Sequence, residues 1–319
     1  MANPSWLSLP RRTVAAVARN GSVRKLAVST PVLRDVAWRF VAGEDLEAGL
    51  AVIRDLNARG IKGSLSHVGT HIRSEAEVVA SADEALAALH GLRTARLDSH
   101  FSVKLTQLGL DIRPELCRTQ LQRVLDCARD VDIFVRIDME ESGYVDATIG
   151  IFEEMRETYG ADHVGIVLQS YLRHRREDLG RLAAAGSRIR LVKGGYWERP
   201  DVAYRAKREI DGAFFADIDR LVRNGRNPAI ATHDPAAIDV ARRVASSAGL
   251  AKDGFEFQML YGVRSDLQDR LVRDGHIVRC YVPYGGQWYE YVLGCLRRVP
   301  GGIMQRAKDR FGRAMRARR

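Results

Sequence analysis

The stretch RLVKGGYWE (190–198) has the pattern of a short buried strand that ends on two glycines. Its apolar residues favour a strand, whereas Gly194 and Gly195 permit a positive φ or a close approach of the backbone to a ligand. Arg190, Lys193 and bare amide groups at one strand end indicate an anion or cofactor site. The alternative is a core strand whose lysine faces solvent, and the stretch alone leaves both interpretations open.

Outward from this stretch, short strand patterns alternate with helical patterns. The eight strand candidates are 60–69, 100–109, 132–140, 163–172, 188–196, 227–234, 255–262 and 276–285. The helical patterns are 76–92, 114–128, 145–158, 178–185, 201–224, 236–248, 267–273 and 288–298. Parallel strands need crossover connections and burial on both faces, so eight strand–helix pairs predict an α/β fold of the TIM-barrel class, a (β/α)8 barrel.

Helical spacing also covers 30–58, ahead of the first strand. We therefore expect an N-terminal helical segment (1–59) packed on a barrel that spans 60–319 and ends in a C-terminal helix. The length of 319 residues suits a single domain, because such barrels typically take about 250 residues. No low-complexity linker divides the chain.

Composition narrows the functional classes. The net charge of +10 is partly concentrated in an arginine-rich C-terminus, but no nucleic-acid motif accompanies it, so we expect a solvated tail and no specific nucleic-acid partner. Four scattered cysteines, without a CxxC pair or a histidine cluster, predict neither a disulfide framework nor a metal site. No window approaches the roughly 20 apolar residues of a transmembrane segment, and no signal peptide is recognisable, so a cytoplasmic location is expected.

Polar residues fall near the C-terminal ends of the predicted strands. They are Lys104, Asp138, Gln169, Lys193, Thr232, His233, Gln258 and Tyr281. The C-terminal strand ends of a barrel converge on the face where active sites are built. Burying several unpaired polar groups would cost several kcal/mol, so an active face explains them better than core filling does.

These residues lie in seven ordered motifs that resemble the proline dehydrogenase family, in its bacterial single-function form. The motifs are SVKLTQLG (102–109), VRIDMEES (135–142), GIVLQSYL (165–172), RLVKGGYWE (190–198), AIATHD (229–234), FEFQMLYG (255–262) and YVPYGGQWYEY (281–291). The resemblance implies a distorted (β/α)8 barrel that binds FAD without a Rossmann domain. It also implies an oxidoreductase that removes a hydride from the carbon next to a substrate nitrogen and leaves a C=N bond.

Roles carried over from the resemblance make Asp138 and Arg190 catalytic, with Arg190 near the reactive edge of the flavin. The implied cofactor-binding residues are Met139, Gln169, Arg190, Lys193, Gly194, Gly195, Tyr196, Thr232, His233 and Gln258. The implied substrate-binding residues are Lys104, Tyr281, Tyr291, Arg297 and Arg298. Two alternatives stay open: Asp138 could pair with Arg136, and Tyr281 could be a core aromatic. Hydride transfer depends on orientation, so no histidine base is expected.

The chain departs from the family in the helix after the last strand. There the family carries Tyr-x-x-Arg-Arg, the two arginines clamping the substrate carboxylate. Tyr291 matches the tyrosine, but the arginine pair falls on Gly294 and Cys295. Arg297 and Arg298 follow three residues later, about one helical turn or ~5 Å along. Equivalent clamping would therefore require a local rearrangement.

A second departure lies on the first strand. The family segment Leu-Asp-His-x-Gly-Glu corresponds to 65–70, where Ser66 and Thr70 replace the two acids. In the family these acids pair with the substrate-binding lysine and with the arginine clamp. Losing acids together with their basic partners indicates a remodelled substrate pocket and leaves the cofactor site unchanged.

Three hypotheses follow. The first is a proline dehydrogenase with a displaced arginine clamp. The second is a flavoenzyme of the same fold that oxidises another small amine, imino acid or nitrogen–nitrogen compound. The third is a non-catalytic flavin- or polyanion-binding protein, which the retained Arg190, Asp138 and Tyr281 argue against. A quinone or another oxidant would accept the electrons, and assembly into a homo-oligomer is left open.

Overall fold

The computed structural model describes residues 38–69, 72–173, 175–289 and 291–292. Its centre is a closed barrel of eight parallel strands in sequential order, with the eighth strand pairing with the first. The strands are β1 (Lys62–His67), β2 (Ser99–Val103), β3 (Val135–Ile137), β4 (Val164–Gln169), β5 (Arg188–Val192), β6 (Arg226–Ala231), β7 (Glu256–Leu260) and β8 (Ile277–Tyr284). The predicted (β/α)8 barrel is confirmed.

Helices surround the barrel. They are α1 (Leu46–Ala58), α2 (Glu75–Thr94), α3 (Pro114–Asp130), α4 (Val145–Tyr159), α5 (Arg176–Ala184), α6 (Lys207–Asn224), α7 (Pro235–Ser247) and α8 (Ser265–Arg273), with short 3-10 helices at Leu105–Leu108 and Ser142–Tyr144. The chain is helical again at Trp288. Most of the pattern predicted at 288–298, and the part of 30–58 before residue 38, lie outside the described residues.

The start of α6 differs from the sequence prediction, which placed it at residue 201. Backbone pairing explains the difference: Tyr204 donates its N–H to the carbonyl of Tyr171 over 2.8 Å, and Arg173 donates to the carbonyl of Val202 over 2.8 Å. The segment after β5 is thereby tied to the segment after β4. Its amide groups are used in this pairing, so the helix begins only at Lys207.

The N-terminal helix α1 packs across β1 and β8 through buried Ile53 and Leu56. Gly63 of β1 allows this approach, because a Cβ there would lie 2.4 Å from Cδ1 of Ile53. The carboxylate of Asp45 caps the helix by accepting the N–H of Ala48 over 2.9 Å, which satisfies one of its free N-terminal donors. The helix therefore closes the seam where the barrel begins and ends.

The interior of the barrel is polar, whereas the interiors of such barrels are usually filled by branched apolar side chains. The inward-facing polar residues are Ser64, Ser66, His100, Ser102, Lys104, Arg136, Asp138, Gln169, Arg188, Arg190, Glu256, Gln258, Arg279 and Tyr281. One contact crosses the lumen, where Arg190 of β5 donates to Ser64 of β1 over 3.2 Å, and another joins neighbouring strands, where Arg279 of β8 donates to the Gly63 carbonyl of β1 over 2.7 Å. Buried polar groups are costly, so this lumen is where function is to be sought.

Among the described helices, none combines the length and apolarity that crossing a membrane requires. The described ranges also hold no group of three or more His, Cys, Asp or Glu side chains arranged around a metal position. The cysteines within them, Cys117, Cys127 and Cys280, carry free thiols.

Candidate active site

Asp138, directly after β3, joins three other strand ends through its carboxylate. Nζ of Lys104, directly after β2, lies 2.8 Å from Oδ2, and Nη1 of Arg190 on β5 lies 2.8 Å from Oδ1. Tyr281 on β8 places its hydroxyl 2.9 Å from Oδ2. Arg136 forms no ion pair with Asp138, so the alternative pairing is not the one adopted. One carboxylate therefore fixes two cations and a phenol.

The charges at this site stabilise each other. Burial opposes ionisation of Asp138, but Lys104 and Arg190 outweigh it and lower the pKa of the carboxyl below its ordinary value. Burial also opposes the charge on Lys104, yet Asp138 raises the pKa of the ammonium well above its usual range. Burial and the neighbouring Asp138 raise the pKa of Tyr281. At neutral pH the site thus holds an anion, two cations and a neutral phenol.

Serines on β1 and β2 complete the floor of the site. Nη2 of Arg190 donates to the hydroxyls of Ser64 and Ser102, each over 3.2 Å, and these hydroxyls lie 3.0 Å apart. Ser66 lies 2.9 Å from the hydroxyl of Tyr281. Because the guanidinium is held by a carboxylate and two hydroxyls, its plane is fixed, with Nε buried and without a partner in the described chain.

Glu140 supports both halves of the site. Its carboxylate accepts the side-chain O–H of Thr106 over 2.7 Å and the N–H of Thr106 over 3.2 Å, which anchors the 3-10 helix that follows Lys104. Its carbonyl accepts Nε2 of Gln169 over 3.2 Å. Burial raises the pKa of Glu140, and the nearby Lys104 opposes that shift. Glu140 thereby links the loop after β2 to the end of β4.

Gly194 forms a cradle directly after β5. Its φ is +101°, and a Cβ there would lie 2.0 Å from Cδ1 of Tyr171. On the neighbouring strand, Oε1 of Gln169 is buried without a hydrogen-bond partner among the described residues. The glycine is therefore needed for the Tyr171 ring to pack against this loop, and the orphaned Gln169 oxygen is an acceptor that a planar, hydrogen-bonding ligand would use.

Lys193 is held by two carboxylates. Its Nζ lies 2.5 Å from Asp211 of α6 and 2.7 Å from Asp234, the N-cap of α7. Lys207 also binds Asp211. The lysine therefore ties β5 to two helices, and its charge is already matched within the protein.

The end of β6 carries Thr232 and His233. Oγ1 of Thr232 accepts the N–H of Asp234 over 3.1 Å, and Nε2 of His233 accepts the N–H of Leu260 over 2.8 Å. Burial, with a smaller contribution from Arg264, lowers the pKa of His233 to about 4. A neutral ring whose Nε2 accepts must carry its proton on Nδ1, which is a donor on this face.

Comparison with known proteins identifies the family of this chain. The proline dehydrogenase family model matches residues 50–293. Proline dehydrogenase 2 of Bacillus subtilis is 35% identical over 287 residues, covering 90% of this chain and 94% of the relative. Proline dehydrogenase of Deinococcus radiodurans is 36% identical over 295 residues, covering 92% and 94%. The chain belongs to the proline dehydrogenase family. It is therefore an oxidoreductase of the class that acts on CH–NH donors.

Solved structures agree on the fold. Proline utilization A from Bdellovibrio bacteriovorus, inactivated by N-propargylglycine, superposes with a TM-score of 0.77 at 23% identity over 83% of this chain. Proline utilization A from Corynebacterium freiburgense gives 0.70 at 24% identity over 96% of the chain. The chain spans about a third of each of those longer proteins, 32% and 34%. At these identities the likeness concerns the barrel.

Most of the residues that the family resemblance singled out gather at the C-terminal face. Met139 is buried directly after Asp138, and Tyr196 accepts the Tyr171 hydroxyl through its carbonyl over 3.4 Å. Gln258 instead binds Glu256 inside the barrel. Tyr291 packs against the small cluster around Trp288. Gly195 continues the loop after Gly194.

The first departure lies outside the described residues except for Tyr291, and the second is only partly visible. Thr70, Gly294, Cys295, Arg297 and Arg298 lie outside the described residues. Ser66 lies inside them, beside Tyr281, where the family has an acid. Within the described site, Lys104 consequently has Asp138 as its single carboxylate partner.

Three contributors were missed by sequence reasoning. Glu140 stands two residues after Asp138, the spacing that returns a strand to the same face, and that spacing was an available signal. Asp211 and Asp234, the partners of Lys193, are separated from it by 18 and 41 residues and carried no recognisable pattern. Only the folded chain brings them together.

The lowered pKa of His233 predicts that the protein loses stability as the pH falls. Its pKa of about 4 in the folded protein is below the ordinary 6.5. The contribution of the neutral His233 ring to the free energy of unfolding is therefore complete above pH 6.5 and is lost as the pH falls toward 4. Between pH 7 and 5 the loss should be about 2 kcal/mol. Urea unfolding at both pH values should show a smaller loss in His233→Gln, whose amide oxygen can still accept the Leu260 N–H. Equal losses in both proteins would contradict the assignment.

Proposed function

We propose that this protein is an FAD-dependent dehydrogenase that oxidises the carbon–nitrogen bond of proline or a closely related small amino acid. The observation that carries the proposal is the convergence of Lys104, Arg190 and Tyr281 on Asp138, with the orphaned Oε1 of Gln169 on the neighbouring strand. Family membership supplies the reaction class. These contacts support a place for a carboxylate beside a place for a flat cofactor.

The residues fit FAD. The orphaned Oε1 of Gln169 is an acceptor for a ring N–H, and the Gly194 cradle lets the Tyr171 ring pack against the loop that follows β5. His233, whose Nε2 accepts from Leu260, carries its proton on Nδ1. Lys193 would act mainly by positioning the loop, since its ammonium is engaged by Asp211 and Asp234. When bound, FAD supplies the acceptor for a hydride.

Lys104 is suited to hold the substrate carboxylate. An ammonium has three N–H donors, and two of them point to Asp138 and the Tyr281 oxygen. The third is left for a ligand, and the raised pKa of Lys104 keeps it charged. A charge-assisted contact of this kind contributes about 1.5–3 kcal/mol.

The orientation of the bound substrate then accounts for the hydride transfer. The substrate amine must be neutral, and its neighbouring C–H must point at the cofactor. Two electrons leave the carbon as a hydride, the nitrogen releases a proton, and the C–N bond becomes C=N. Asp138 is ionised but occupied by two cations, so it positions groups and does not act as the base. Turnover requires reoxidation of the cofactor by a quinone or another oxidant.

Ser66 favours a second candidate, a small amine or nitrogen–nitrogen compound other than proline. A hydroxyl beside Tyr281 leaves Lys104 with one carboxylate partner in the described site, so the pocket carries more positive charge than it would with a second acid there. A substrate with an additional polar or anionic group would use this difference. Both candidates share the cofactor and the direction of electron flow.

One experiment tests the proposal and ranks the candidates. The purified protein is expected to be yellow and to retain FAD. Its absorbance in the flavin band, at about 450 nm, should bleach when proline is added under anaerobic conditions. Hydroxyproline, N-methylglycine and hydrazinoacetate form the comparison panel. Bleaching by proline at the lowest concentration supports the first candidate, and preferential bleaching by hydrazinoacetate supports the second. Colourless protein that takes up no added FAD would contradict both.

A further inference from the structure

Arg136 is the largest fully buried side chain in the described protein. It lies on β3, two residues before Asp138 and on the same face of the strand, with 1% of its surface exposed. Two residues of strand correspond to about 6.6 Å, so its backbone lies one layer below the candidate active site.

This arginine has no carboxylate partner among the described residues. Its Nη1 donates to the carbonyls of Ile166 over 3.2 Å and of Arg188 over 2.5 Å, and its Nε is buried without a partner. Arg188 also forms no ion pair in the described chain, and its Nε is equally unsatisfied. Both guanidinium groups lie over the ring of Phe134, at 4.8 and 4.0 Å from its centroid. We refer to Arg136, which is fully buried, and Arg188, which is partly buried, as the lumen arginine pair.

The other interior charges compensate the pair only in part, because Glu256 attracts both arginines but is itself paired with a third. Glu256 is bound by Arg279 over 3.0 Å, and Asp138 is bound by Lys104 and Arg190. The described lumen therefore sets five cations against two carboxylates. Burying an unpaired cation is unfavourable, because the interior solvates charge poorly.

The residues around the two arginine side chains nevertheless accommodate them. A Cβ on Gly165 of β4 would lie 2.7 Å from Nη1 of Arg136 and 2.5 Å from the carbonyl oxygen of Arg188. A glycine is therefore required where Arg136 crosses to β5. His100 stacks on Phe134 at 4.5 Å, and burial and the surrounding arginines lower its pKa well below the ordinary value, so it adds no charge.

We propose that the lumen arginine pair is an electrostatic positioning element that favours negative charge at the cofactor site above it. This inference rests on the proposed FAD-dependent function. Neither arginine touches the ligand; each acts through the low-dielectric lumen, directly below Asp138 on β3 and Arg190 on β5. A unit charge about 10 Å away, at an effective dielectric constant near 20, changes an equilibrium by roughly ten- to twentyfold. Reduced flavin bears the extra electrons, so the arginine charges would stabilise it relative to oxidised flavin.

The test compares neutral and charge-keeping variants of the same residue in the FAD-loaded protein. Arg136→Gln should weaken the reduced state about tenfold relative to the oxidised state, which lowers the two-electron midpoint potential by about 30 mV. Arg136→Lys should change the stability of the reduced state relative to the oxidised state by less than about threefold, because the charge remains. The potential is measured anaerobically by equilibration with a reference dye. Arg242→Gln on α7, whose partner is Asp274 at the surface, is the remote control.

A purely structural role makes a different prediction. In that case the glutamine and lysine variants would lose thermal stability to similar extents while the midpoint potential stayed at the wild-type value, which would overturn the inference. If Arg136→Gln does not fold, Arg188→Gln decides, since Arg188 is only partly buried. A downward shift in its potential supports the inference, and an unchanged potential overturns it. Wild-type protein that binds no FAD would contradict the proposed function itself, whereas equal potentials with FAD bound contradict only this inference.

Discussion

Asp138→Asn is expected to reduce substrate-dependent cofactor reduction by about 100-fold or more. The substitution keeps the size of the side chain but removes the charge that fixes Lys104 and Arg190, each through a contact of 2.8 Å. Two charge-assisted hydrogen bonds of about 1.5–3 kcal/mol each are weakened together. Anaerobic stopped-flow absorbance with proline, or with the best substrate of the panel, measures the effect.

The same variant should change the pH dependence. Burial opposes the charge on Lys104, and Asp138 overcomes that effect in the native protein. Without the carboxylate, the pKa of Lys104 should fall, so carboxylate binding should weaken as the pH rises through the new, lower value. An apparent substrate affinity that weakens toward alkaline pH in Asp138→Asn, but not in the wild type, would be the signature.

Asp219→Asn is the matched control for that experiment. Asp219 pairs with Arg223 on the surface of α6 over 2.9 Å, and an exposed pair of this kind contributes little. Its reduction rate should stay within about twofold of the wild type. If Asp138→Asn also stayed within this range while retaining its cofactor, Asp138 would not organise the active site.

Gly194→Ala is expected to lower stability by about 2–5 kcal/mol and to reduce FAD retention. A left-handed backbone costs about 1–2 kcal/mol for a residue with a Cβ, and inserting a methyl group into a packed site costs about 1–3 kcal/mol. Both costs apply here, since φ is +101° and the new atom would meet the Tyr171 ring at 2.0 Å. Thermal unfolding reports the first effect, and the ratio of flavin to protein absorbance reports the second.

Gly212→Ala provides the control for the glycine prediction. Gly212 lies within α6, where a Cβ would meet nothing within 4 Å. Alanine in a helix interior should stabilise the protein by about 0.5–1 kcal/mol relative to glycine. Cofactor retention should be unchanged. Equal stability and equal FAD content in the two alanine variants would mean that the Gly194 cradle is not used.

The barrel itself was predictable because its signals are local. Each strand is a short apolar run, each crossover has helical spacing, and parallel pairing requires the two to alternate. The glycines after β5 were recognisable for the same reason, since a residue type reports directly on allowed backbone angles. The beginning of α6 was not predictable: pairing between the segments after β4 and β5 uses amide groups of residues that would otherwise have been helical.

The site was predictable in position but not in its connections. Polar residues at strand ends had to converge once the barrel closed, which placed Lys104, Asp138 and Tyr281 on one face. Which cation Asp138 would bind could not be decided, because Arg136 and Arg190 were both available. The choice depends on layer height in the lumen, where the guanidinium of Arg190 reaches Asp138 and that of Arg136 turns to the carbonyls of β4 and β5.

By itself, the sequence determined the eight strand–helix units, the polar strand ends and the glycine pair of RLVKGGYWE, since these follow from residue type and periodicity. Tertiary structure alone decided that one carboxylate is shared by three groups, that Lys193 is matched by Asp211 and Asp234, and that Arg136 is buried with no acid paired to it in the described part of the chain. The physical reason is that electrostatic pairing depends on distances of a few ångströms between residues far apart in the chain. Periodicity specifies the direction in which a side chain points, and only closure of the barrel specifies what it meets.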